Sequence, residues 1–120
     1  MKENLLIDKS IAFASRIIKL HQYLIRTKKE TIISKQIVRS GTSIGANINE
    51  ASYGQSKADM LSKFEIARKE CMETESWLKL IFSSGSIDEK AFKKYRNLCG
   101  RIRRILTSSC ITIENKMKQG

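Results

Sequence analysis

Apolar residues recur along this chain at helical spacing in four stretches, and no stretch alternates as a half-buried strand would. The first helical pattern runs from about Ile7 to Thr27. Ile11, Ala14, Ile18, His21 and Ile25 follow i, i+3, i+4 spacing with Phe13, Ile17, Leu20 and Leu24 beside them, while Arg16, Lys19, Gln22 and Arg26 take the opposite side. Lys28-Lys29-Glu30 reads as a connection. The second pattern, from about Ile32 to Tyr53, carries Ile37, Gly41, Ile44, Ile48 and Ala51 in a heptad-like seam, and Gly54 is placed to cap it in a left-handed conformation. The third opens on Ser56 with Asp59 three residues later, a variant of the capping box, and its seam is Met60, Phe64, Ala67, Cys71, Thr74, Leu78 and Ile81. Ser83-Ser84-Gly85 closes it. The fourth begins at Ser86 with Glu89 as a second capping box and continues to about Lys116, with Phe92, Tyr95, Leu98, Cys99, Ile102, Ile105, Leu106 and Ile113 inward. Short connections make successive helices antiparallel. The expected fold is all-α, an antiparallel up-down-up-down four-helix bundle forming a single domain over residues 1–120.

The second helix breaks an ordinary rule of helix composition. Gly41 and Gly45 lie in its interior, where each costs about 1 kcal/mol relative to alanine, and Ser40, Thr42, Ser43 and Ala46 are small as well. Close approach of a neighbouring backbone is the expected compensation. Projected at about 100° per residue, Gln36, Ser40, Ser43, Asn47 and Glu50 form a polar stripe with Arg39 at its edge. On the third helix, Glu70 and Glu73 fall beside Ile66, Trp77 and Leu80, away from the main seam. An antiparallel pairing brings Arg39 near Glu73 or Glu70, and Glu50 near Lys63. The expectation is a semi-buried polar network of Arg39, Ser43, Asn47, Glu50, Glu70 and Glu73 that sets register, the plain alternative being a solvated face.

Composition sharpens this picture in two respects. The chain has 41% hydrophobic and 29% charged residues and no proline, a globular mix suited to long helices joined by short turns. Its net charge is +11, which favours contact with polyanions. No acidic residue lies between Lys90 and Ile113, a span that holds Lys90, Lys93, Lys94, Arg96, Arg101, Arg103 and Arg104; Arg16, Lys19 and Arg26 add a smaller basic face on the first helix. Such arrays neutralise backbone phosphates without reading base sequence, and no zinc-finger spacing or ribonucleoprotein-type aromatic motif is present to read it. RNA or DNA, bound without sequence preference, is the ligand class this implies, the plain alternative being a solvated face of a merely soluble basic protein.

Catalytic chemistry finds no foothold. His21 is the single histidine and sits on an apolar side, where packing is the expected role. There is no H-E-x-x-H, phosphate-binding loop or dinucleotide fingerprint, and Glu70, Glu73 and Glu75 lack the E-x-x-H partners of di-iron bundles. The expectation is a non-enzymatic protein with no metal and no cofactor. Cys71, Cys99 and Cys110 form no C-x-x-C pair and read as buried thiols of a reducing compartment. No signal-peptide core and no run of roughly 18 apolar residues is visible, so a cytoplasmic setting away from membranes is expected.

The stretch Gln36–Ala51, QIVRSGTSIGANINEA, closely resembles the signature of the 23S rRNA intervening-sequence proteins, also called the four-helix bundle protein family. Phe64–Leu78, FEIARKECMETESWL, looks like the family's second signature, with Ser76 where an aromatic usually precedes the tryptophan. The resemblance covers essentially the whole chain in order. It implies a subunit that assembles into a cyclic homopentamer, and it links the chain to the accessory variability proteins of diversity-generating retroelements, pentamers of similar fold that bind nucleic acid and a reverse transcriptase. A ring gives Ile66, Trp77 and Leu80 a role as the apolar patch of a subunit contact, the alternative being that Trp77 completes the subunit's own core. The functional expectation is an oligomeric module that binds nucleic acid; its alternative is a scaffold that recruits a protein partner without nucleic acid.

Overall fold

A computed structural model describes residues 2–120, with side chains placed from Leu5 onward. Four helices account for nearly all of it: α1 (Lys2–Arg26), α2 (Ile32–Ser52), α3 (Lys57–Ser83) and α4 (Glu89–Gln119), with no strand among the described residues. Successive helices are antiparallel. Ser10 faces Gly45 while Ile17 faces Gly41; Glu50 pairs with Lys63 while Arg39 pairs with Glu73; Phe82 stacks on Phe92 at one end of the α3/α4 pair. The rod measures 52 × 22 × 21 Å, and of the helix pairs in contact α1 and α4 touch least.

The turns are set by specific groups. The chain leaves α1 through Lys29 in the left-handed region at φ 57°, and the Glu30 amide bonds back to the Leu24 carbonyl at 2.9 Å. Glu30 then starts α2: its carboxylate accepts from the amides of Ile32, Ile33 and Ser34 at 3.2, 3.2 and 2.7 Å, placing negative charge on free donors at the positive end of the helix. Ser56 caps α3 by accepting from Asp59 N at 3.1 Å. Two expectations change. Gly54 is not left-handed; a Cβ there would lie 3.1 Å from Ala51 O and 3.2 Å from Met60 N, so glycine is required for close backbone approach instead. The left-handed glycine is Gly85 at φ 83°. The α4 cap is Asp88, which accepts from Ala91 N at 2.8 Å, because Ile87 is buried and pulls the preceding serine out of the helix.

The core is built from one row per helix. On α1 it is Leu6, Phe13, Ile17, Leu20 and Leu24, whereas Ile11 and Ile18 are 62% and 42% exposed, so the inward row is the one flanking the expected seam. The reason lies on α2. A Cβ at Gly41 would sit 2.8 Å from Ile17 Cγ2, and one at Gly45 would sit 3.2 Å from Ser10 Oγ. The glycines admit side chains of α1 and, at Gly45, its backbone, the Ser10 carbonyl lying 3.8 Å from where a Cβ would sit, and they draw the Ser10–Ile17 row inward. His21 Nδ1, 3.1 Å from the Ser34 carbonyl, donates its proton to that acceptor and ties the far end of the same helix pair. On the opposite flank of α2, the buried Thr74 hydroxyl donates to Ser40 Oγ at 2.8 Å.

Candidate nucleic-acid interface

The outer face of α4 carries the densest unopposed positive charge. Lys90, Lys94, Arg101 and Arg104 recur at spacings of three, four or seven, share one side of the helix with Asn97, and are all exposed. At about 1.5 Å per residue the ridge is roughly 21 Å long. It is neutralised only at its edges. Lys93 Nζ pairs with Glu89 at 3.1 Å, and Arg103 Nε pairs with both Glu75 carboxylate oxygens at 3.1 and 3.2 Å. The acid-free stretch of sequence thus meets a carboxylate from α3, which tertiary structure brings in.

Two grooves flank the ridge. Toward α1, Lys9, Arg16 and Arg101 surround a shallow groove of about 160 Å³. Burial pushes the Tyr95 phenol up, against the opposing pull of the Arg16 guanidinium. Lys19 lies at a second small groove with Tyr23 and Tyr95, and Arg26 is exposed in the last turn of α1. Toward α3, Lys79, Arg96, Arg103 and Arg104 surround a larger cleft of about 650 Å³ whose lining includes Glu75, Phe92 and Gly100. Sequence reasoning passed over Lys9, Lys79 and Gly100. The glycine had a readable signal, since it interrupts an otherwise strong helical pattern at a cost of about 1 kcal/mol.

The other polar cluster straddles α2 and α3. Arg39 bonds to Glu73 through Nη2 and approaches Glu70 at 3.9 Å, and Lys63 pairs with Glu50 at 2.8 Å. Ser43 and Asn47 do not join across the helices. Ser43 donates to the Arg39 carbonyl at 2.6 Å and Asn47 to the Ser43 carbonyl at 2.8 Å, both within α2, because short polar side chains in a helix reach their own preceding turn. Beside this cluster Ile66 and Leu80 are 40% and 46% exposed, and the Trp77 indole Nε1 is buried without a hydrogen-bond acceptor among the described residues. Glu70 Oε2 is likewise buried and lacks a hydrogen bond.

Cys71, Cys99 and Cys110 are all free and buried. A hydrogen bond to Cys71, then burial, pushes the Cys99 thiol up, and burial does the same for Cys110, so neither is poised as a thiolate. Among the described residues no group of three histidine, cysteine or acidic side chains gathers as metal ligands, and no helix is long and apolar enough to cross a membrane.

Comparison with known proteins identifies a family and similar solved structures. The sequence profile of the family described as 23S rRNA-intervening sequence protein matches residues 2–108. A crystal structure of a protein of unknown function from the S23 ribosomal protein family, from Bacteroides thetaiotaomicron VPI-5482, is 45% identical with a TM-score of 0.91, over 92% of this chain and 98% of that one. None of the curated proteins is significantly similar in sequence.

Glu70 makes the α2/α3 cluster testable through pH. Its carboxyl is raised above the ordinary value of 4.5 by burial first and by Glu73 second, against the pull of Arg39 and Lys69. The folded chain therefore retains a proton that the unfolded chain has released. Stability contributed by this group falls as pH rises from 4.5 through the raised value and stays lower above it. Glu70→Gln removes that loss. In urea melts, the stability of the variant relative to the parent should be more favourable near about pH 7 than near about pH 4; a difference independent of pH would refute the assignment.

Proposed function

The chain belongs to the 23S rRNA-intervening sequence protein family, and from that premise we propose that it is a non-enzymatic, oligomeric binding module that holds RNA or DNA by its phosphate backbone. The carrying observation is the exposed α4 ridge of Lys90, Lys94, Arg101 and Arg104, none of which is engaged by a carboxylate among the described residues. Arg16 extends it across the α1 groove, and a net charge of +11 supplies long-range attraction. Phosphate contacts by lysine and arginine carry no base information, and no base-reading motif accompanies the ridge, so the binding proposed is independent of sequence. The free, buried thiols fit a reducing, cytoplasmic setting.

Assembly is part of the same reading. The Ile66–Trp77–Leu80 face supports a subunit contact: it is apolar and partly exposed, and it holds a buried indole donor and a buried carboxylate oxygen that lack hydrogen-bond partners among the described residues. A neighbouring copy could satisfy both, and the homopentamer is the assembly this reading adopts. The same face supports the second reading, a scaffold that recruits a protein partner without nucleic acid.

The binding test is the salt dependence of affinity, read by fluorescence anisotropy on a labelled strand of arbitrary sequence. Affinity should fall steeply between about 50 and 200 mM salt. Changing Lys90, Lys94, Arg101 and Arg104 together to glutamine should flatten the slope by up to about 0.7 for each phosphate no longer neutralised. A slope near zero in the parent, or one untouched by the four changes, contradicts the reading. Assembly is read separately by light scattering: the parent should weigh about five subunits and Leu80→Glu should lower that mass, whereas a monomeric parent contradicts it.

A further inference from the structure

The α3/α4 cleft differs from the ridge beside it, because it combines cationic groups with a preformed stacking surface. The rings of Phe82 and Phe92 lie 4.6 Å apart and within 8° of parallel. The Arg96 guanidinium lies over the Phe92 ring, 5.2 Å from its centroid. The stacked rings form a short column with an exposed guanidinium beside it, a flat cation on which a base can stack.

Around that column the cleft has a mixed lining suited to a molecule with a flat ring and an anionic group. Met72 and Phe92 are apolar; Lys79, Arg103 and Arg104 are cationic. Glu75 grips Arg103 through Nε alone, which fixes the side chain and leaves both Nη groups available to an anion. Gly100 keeps the wall low: a Cβ there would approach Arg104 Nη1 to 3.2 Å, Glu75 Oε1 to 3.6 Å and Arg103 Nη2 to 3.8 Å. An interior glycine weakens α4, and here it leaves the two arginine heads room to turn toward a shared ligand. The cleft of about 650 Å³ falls within the size range of small-ligand sites.

We propose that this cleft receives one unpaired nucleotide of a single-stranded nucleic acid, its base stacked on Arg96 and its phosphate held by Arg103 and Arg104. The inference rests on the reading of the α4 ridge as a phosphate-binding face and adds a preference to it. A duplex offers its phosphates to the ridge but keeps its bases paired and stacked, so it cannot fill the cleft.

The test compares a fluorescein-labelled 20-nucleotide single strand with the same strand in a duplex, at one ionic strength, using the parent and Arg96→Lys. Lysine keeps the charge and loses the plane. The parent should bind the single strand at least about five-fold more tightly than the duplex. Arg96→Lys should lose most of that preference while its duplex affinity and salt slope stay those of the parent. Gly100→Ala, which favours helix and serves as the folded control, should melt no lower than the parent yet bind the single strand more weakly. Equal affinity for single strand and duplex, unchanged by Arg96→Lys, would overturn the cleft assignment while leaving the ridge in place; loss of all salt-sensitive binding would remove the ridge as well. Saturable binding of adenosine monophosphate without a single-strand preference would assign the cleft to a free nucleotide and overturn the proposal as stated.

Discussion

The packing of α1 against the glycines of α2 is the constraint from which the rest of the fold follows. Gly41 leaves no room for a Cβ once Ile17 is seated, and Gly45 is nearly as close to Ser10. Two glycines in one helix cost about 2 kcal/mol of intrinsic propensity. Burying Ile17 and its row offsets that cost, since a fully buried aliphatic side chain contributes about 1.5–3 kcal/mol. With that flank committed to α1, the other flank of α2 turns to α3, where Ser40–Thr74 is buried and Arg39 meets Glu73. One helix thereby fixes the rotation of both neighbours about their axes.

That arrangement decides what α4 is left to do. It packs chiefly on α3 and meets α1 sparsely, so an entire side of a 31-residue helix stays open to solvent. Between Lys90 and Arg104 most of the residues on that side are cationic, and carboxylates reach only its margins, at Glu75 and Glu89. Exposed ion pairs contribute little to stability. The importance of Glu75 is instead geometric, since it holds the Arg103 guanidinium at the edge of the α3/α4 cleft.

The sequence made the architecture legible because helical periodicity survives projection onto any single helix. Four patterns, their order and the Ser56 cap can be read that way. What periodicity does not convey is rotation within a broad apolar face. On α1 the Ile11 row and the Ile17 row lie within one broad apolar face; the Ile17 row is the richer in large apolar side chains, and the glycine notch on another helix seats it. The same limit applies at the turns: Ser86 and Asp88 both offer a capping oxygen, and the burial of Ile87 decides for Asp88. For the candidate interface, the basic residues of α4 were visible as a run. Their division into an open ridge and a carboxylate-anchored cleft was not, because Glu75 and Phe82 come from α3. The placement of Arg39 opposite Glu70 and Glu73 could be anticipated from helical projection, whereas Ser43 and Asn47 turn back to their own helix, a choice the projection does not record.

A double-mutant cycle between Gly41 and Ile17 tests this account most directly. Gly41→Ala alone should cost about 1–3 kcal/mol in urea unfolding, as overpacking of a full site does. In an Ile17→Ala background, where the crowding Cγ atoms are gone, the same change should cost far less or become favourable, with a coupling energy above about 0.5 kcal/mol. Strictly additive effects, or a Gly41→Ala variant as stable as the parent, would contradict the claim that the glycine exists to seat α1.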